Sequence, residues 1–160
     1  MSPTPALPPV RRAGPRPSFG RVSVGVQGRV MVSMAEGPFD AELMTAVKRA
    51  IALAGKRLPA DRRFGDLLEI RGSLQMDADA LGQLRKSIDA FASRGVVAIS
   101  TVFLVRPGLP GIERLPALMD IWRASRPVRR ADNFETAWAL VNADLAAAGL
   151  PTQAPPLQHP

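Results

Sequence analysis

The chain has 160 residues, 46% of them apolar, and a formal net charge of +7. That is enough for one domain with a sizeable core and little more. There is no cysteine, which excludes disulfides, a thiolate nucleophile and cysteine-ligated metal.

The one histidine, His159, is the penultimate residue of a Pro-rich terminus. The side chain that most often acts as a general base near neutral pH is therefore absent from the apolar body of the chain. No convergent pair of carboxylates stands out in its place. The sequence is expected to be non-enzymatic, with no catalytic residues, no cofactor and no metal ligands. The positive charge is mostly arginine, and Arg11, Arg12, Arg16 and Arg21 all precede the first acid, Glu36. Much of the excess thus lies in or beside a terminal stretch, so nucleic acid is not the expected partner. Contact of the arginines with an anionic surface ranks behind the readings below.

Residues 1–17 read as a disordered Pro/Arg-rich tail, because proline breaks helices and removes a sheet donor. They do not form a signal peptide: prolines interrupt the apolar run and the arginines follow it. No stretch reaches the ~20 apolar residues of a membrane span, and the expected location is cytoplasmic. Residues 151–160 read as a second Pro-rich tail. The folded unit is expected over 18–150, and removal of either tail is expected to cost little core.

"GRVSVGVQ" alternates, with Val22, Val24 and Val26 on one face, and "VMVSMAE" follows with Val30, Val32 and Met34 in phase. Gly28 between them signals a hairpin. "GPFDAELMTAVKRAIALAGKR" switches to helical spacing. Asp40 is its cap, Leu43, Met44, Val47, Ile51 and Ala54 its stripe, and Gly55 its stop. "RFGDLLEIRG" is a third strand. "DADALGQLRKSIDAFASRG" is a second helix, capped by Asp77, with a stripe of Leu81, Leu84, Ile88 and Phe91, and ended by Gly95.

"VVAISTVFLV", Val96 to Val105, reads as a strand buried on both faces. "RPGLPG" reads as a plain turn; it lacks the Lys-Ser/Thr pair of a phosphate loop. "IERLPALMDIWRAS" is a third helix broken or delayed by Pro116, and "PVRRAD" a short edge strand. "DNFETAWALVNADLAAAG" is the last helix, with Asp132 as cap, Glu135 three residues on, and Phe134, Ala137, Trp138 and Val141 facing inward. The order ββαβαβαβα predicts an α/β fold with a mixed, mostly parallel five-stranded sheet and four helices. Trp122 and Trp138 are expected in the core, and Lys56, Arg57, Arg62 and Arg63 at a solvated helix end. Glu69 stays open between a buried functional acid, a residue on the solvent side, and a partner of Arg71 or Arg94.

The strand order, "FGDLLEIRG", "VVAISTVFLV" and "PVRRADNFETAWALV" together resemble the STAS-like domain superfamily. The similarity is to its SpoIIAA-like branch, that of the sporulation anti-sigma-factor antagonists, which shares its architecture with the SEC14 lipid-exchange proteins. In the antagonists a strand ends near "DLSG", and a helix opens at "DSSGL". Aligned without a gap, "EIRGSLQMDADAL" puts Glu69 on the strand carboxylate and Gly72 on the glycine. Asp77 then falls on the loop aspartate and Leu81 on the helix leucine. The phosphorylated serine falls on Ala78 and the helix glycine on Ala80.

Alanine has no hydroxyl, so the resemblance implies an interaction module without the phosphorylation switch. A partner protein is then expected on Ser73, Gln75, Asp77, Asp79, Gln83 and Lys86. The alternative that the resemblance implies is a carrier of a small apolar or lipid-like ligand.

Overall fold

A two-residue turn sets the register of the opening hairpin. In the computed structural model, which describes residues 20–156, β1 (Arg21–Gln27) and β2 (Val30–Glu36) form an antiparallel hairpin in which Gln27 pairs with Val30. Gly28 takes φ 58 in the turn, a conformation that side-chain-bearing residues rarely adopt. The tail expected over 1–17, and His159, lie outside the described residues.

The register places Val22, Val24 and Val26 opposite Ala35, Ser33 and Met31. Directly paired residues share a face. The alternation therefore runs through both strands, but Val30, Val32 and Met34 lie on the opposite face from the β1 valines. Both faces of β2 carry apolar residues, so periodicity alone does not distinguish them.

The remaining elements are α1 (Ala41–Gly55), β3 (Gly65–Arg71), α2 (Ala78–Ser93), β4 (Ser100–Val105), α3 (Leu115–Arg123), β5 (Val128–Ala131) and α4 (Phe134–Ala147). A short 3₁₀ turn, Ile112–Arg114, leads into α3, and the proline of α3 sits in its first turn, where its missing N–H costs nothing. The fold is the expected α/β one: five strands in the order β1-β2-β3-β4-β5, with β2 to β5 parallel.

Successive parallel strands joined by right-handed crossovers in one direction put their helices on one face. Accordingly α1, α2 and α3 pack against Ala35, Ile70, Phe103 and Val105. Helix α4 follows the last strand and covers the other face, with Trp138, Val141 and Leu145 against Leu67, Val102 and Leu104. Strand β4 lies between the two layers and is buried throughout. Arg129 ties β5 to α4 through the Leu140 carbonyl at 3.0 Å and an ion pair with Asp144.

Three element ends differ from expectation, each for a local reason. β4 begins at Ser100, not Val96. The Val96 amide closes α2 on the Phe91 carbonyl (2.9 Å), and the Ile99 amide bonds Phe64 (2.9 Å). α4 is capped by Asn133, which accepts from the Thr136 amide at 2.8 Å, while Asp132 pairs with Arg130 at 3.5 Å. Gly55 is the last helical residue of α1 rather than a left-handed stop, and Lys56 caps with φ −68. Leu58 precedes Pro59, and a residue before proline leaves the helical region.

Residues 151–156 form no helix or strand, yet Gln153 is anchored. Its carbonyl accepts from Trp138 Nε1 (3.0 Å) and Asn142 Nδ2 (2.9 Å), and its amide donates to Asn142 Oδ1 (2.7 Å). Removal of 151–160 is therefore expected to destabilise the domain by about 1–3 kcal/mol through unpaired polar groups. Urea midpoints of the full chain and of residues 1–150 check this, and equal midpoints would count against the anchor.

Candidate functional site

Strand periodicity puts Asp66, Leu68 and Ile70 of β3 on the face toward α1 and α2. Beside Asp66 in the register stand Met31 of β2 and Thr101 of β4. The apolar stripes of α1 and α2 cover this face but do not fill the trough beneath them. They leave a cavity of about 120 Å³ between Val47 and Ile51 on α1, Leu84 and Ile88 on α2, and the sheet. Trp122 of α3, set edge-on to Phe103 at 5.0 Å, and Arg126 complete one side.

The trough is partly open to solvent, so a ligand can reach it.

The cavity lining is mostly apolar, and its two oppositely charged members lie at one end. There Asp66 and Arg126 both line it; Ser33, Lys48 and Ser87 are the other polar lining residues. Thr101, fully buried, donates to Asp66 Oδ2 at 3.0 Å. Burial lifts the Asp66 carboxyl to about 6, against the opposing pull of Arg126 and the Thr101 hydrogen bond. Burial likewise lowers Arg126, and Asp66 partly restores it. From Asp66 to Ile70 is four strand residues, about 13 Å. Beyond Ile70 lie Phe39 and Met76, at the far end of the same cavity.

The loop aligned with the antagonist switch forms that far rim. Gly72 takes φ 72, and a Cβ there would lie 2.6 Å from the Gly37 carbonyl oxygen. The Ser73 hydroxyl accepts from the Gln75 amide (3.0 Å), and Asp77 accepts from the Ala80 amide (2.7 Å), capping α2 as expected. Backbone bonds Phe39 N to Gln75 O (2.8 Å) and Leu74 N to Pro110 O (2.8 Å) hold the loop to its neighbours.

Gln75, Asp77, Asp79 and Lys86 are exposed, and Ser73 and Gln83 half-buried. Asp79, Gln83 and Lys86 share one helix face by their spacing. Asp77→Ala is expected to cost about 1 kcal/mol as a lost cap, and Asp79→Ala only a few tenths. Chemical denaturation checks the ranking, and the reverse order would move the cap to Asp79.

Of the open alternatives for Glu69, burial with Arg71 as partner is found. It is 3% exposed and receives both Arg71 Nε (2.8 Å) and Nη2 (2.9 Å). Trp138 is core, whereas half-buried Trp122 also lines the cavity. Lys56, Arg57, Arg62 and Arg63 are exposed, as expected.

Sequence reasoning passed over Asp66, Thr101 and Arg126. The available signal was the period of β3, which puts a carboxylate in phase with Leu68 and Ile70. Arg126 carried no such signal, because its place depends on how α3 returns to β5.

Among the described residues, no group of three or more His, Cys, Asp or Glu is placed to hold a metal ion. No described helix is long and apolar enough to cross a membrane. No protein-family model matches the chain, and no curated protein matches it. The class defined by the fold is therefore an α/β domain with a mixed, mostly parallel sheet and an antiparallel opening hairpin.

Proposed function

We propose that the protein is a non-enzymatic binding domain that holds a small apolar ligand between its sheet and helices α1 and α2. The observation that carries this reading is the cavity itself, mostly apolar and with Asp66 and Arg126 at one end. The resemblance to the STAS-like superfamily and its lipid-exchange relatives agrees with a carrier role. Among the loop residues, Asp77 and Ser73 already serve the local backbone, which weakens the case for the loop as the primary site.

One observation favours a second reading, a protein partner on the loop: Gln75, Asp79 and Lys86 are exposed, while Met76, between Gln75 and Asp77, lines the cavity. A partner on Ser73, Gln75, Asp79, Gln83 and Lys86 would then sit at the rim of the ligand site. With Ala78 in place of a serine, its binding would be independent of kinases. Asp79→Lys is expected to weaken such a partner by about 1–3 kcal/mol if the charge is paired.

Native mass spectrometry of the purified full chain tests the first reading. A co-purifying mass of a few hundred daltons or less is the expected result. A clean mass, together with no change of melting midpoint on saturation with eight-carbon amphiphiles, would sink it.

A further inference from the structure

The polar end of the cavity constrains what can occupy it, given that the cavity is the binding site. Asp66 and Arg126 line the same space, and each feels the other's charge. Yet no ion pair within 4.0 Å joins them among the described residues, whose close pairs lie elsewhere. Asp66 has Thr101 as its hydrogen-bond donor, and Arg126 Nε reaches only Ser125 Oγ at 3.3 Å. The acceptor capacity of a carboxylate and the five donors of a guanidinium are thus far from exhausted.

We infer that the ligand is an uncharged amphiphile of about ten heavy atoms whose head group, a hydroxyl or primary amide, bridges Asp66 and Arg126. The size follows from the cavity: about 10–15 Å³ of such volume holds one water-sized group, and 120 Å³ is present. The head group follows from charge.

With its carboxyl held near 6, Asp66 is mainly ionised at pH 7.5. A carboxylate ligand gains Arg126 but meets the Asp66 charge in a poorly solvated place. An ammonium gains Asp66 but meets Arg126. The other elements packed around Asp66 add only Ser33 of β2, Thr101 of β4 and Ser87 of α2, which carry no charge. A group that donates to Asp66 and accepts from Arg126 satisfies both and adds no net charge. A pure hydrocarbon satisfies neither and displaces water from both.

The experiment compares 1-octanol, octanoate, octylammonium and octane, each titrated into the full chain at pH 7.5 and followed by calorimetry and by the melting midpoint. The expected result is 1-octanol binding at least tenfold tighter than octanoate and octylammonium, and tighter than octane. Asp66→Asn, with its fold checked by circular dichroism, should narrow the gap between octanol and octanoate several-fold, because the repulsion is gone. Octane or octanoate binding as tightly as octanol would overturn the inference while leaving the cavity reading standing. Failure of all four to bind would remove both.

Discussion

Trp138→Ala is expected to lower the unfolding free energy by about 3–5 kcal/mol, the range for a buried aromatic truncated in a core that relaxes only in part. Trp138 is 5% exposed and packs with Val141 and Leu145 over Leu67, Val102 and Leu104. Its ring stacks on Phe134 with centroids 5.7 Å apart. Its Nε1 also holds the Gln153 carbonyl, so the same change removes one of the three hydrogen bonds that anchor the C-terminal segment.

Trp138→Phe separates the two effects, since it keeps most of the area and loses the donor. It should cost no more than about 1–2 kcal/mol. Urea denaturation of the three proteins is the measurement. A loss below ~1 kcal/mol for the alanine variant would mean that α4 does not close this face.

The sequence is legible where local chemistry and tertiary demand agree. Asp40 and Asp77 cap their helices as read, because a carboxylate just before an apolar 3.6-residue stripe has one good use. β4 reads correctly as a strand because "STVFLV" is apolar on both faces, and both faces are covered. Reading is less sure where two residues compete for one role. Asp132 and Asn133 are both good caps, and only the ion pair with Arg130 decides between them. It is also less sure where a face is ambiguous, as in β2.

The cavity was not legible at all. It depends on how far α1 and α2 stand off the sheet, which no spacing encodes, and on the placement of Arg126 by a turn after α3. Asp66 was passed over for Glu69, the other acid of the same strand. The two differ only in phase: Glu69 faces the α4 side and is paired with Arg71, whereas Asp66 faces the cavity and has no such contact. Strand phase was the available test, and it separates a structural carboxylate from a candidate ligand group.

Asp66→Asn should therefore stabilise the protein at pH 7.5 and change it little near pH 4. The folded-state carboxyl is held at about 6, above the ~3.9 of an unfolded chain. Between those values the folded state binds more protons than the unfolded one, so the contribution of Asp66 to stability falls as pH rises from about 4 to about 6 and is flat above. Two pH units correspond to about 3 kcal/mol at most. Asparagine keeps an oxygen for the Thr101 hydroxyl and carries no charge, so the variant should lead by about 1–3 kcal/mol at pH 7.5.

Asp61, whose carboxyl the hydrogen bond from Arg29 holds down at about 2, works in the opposite direction. It is present in both proteins and cancels in the difference. Urea denaturation of wild type and variant at pH 4.5 and 7.5 gives the result, and a variant equal to or weaker than wild type at pH 7.5 would show the Asp66 charge to be well solvated. The same measurement bears on binding. A head group that donates to Asp66 relieves part of this penalty, so saturating 1-octanol should raise the wild-type midpoint at pH 7.5 more than that of the asparagine variant.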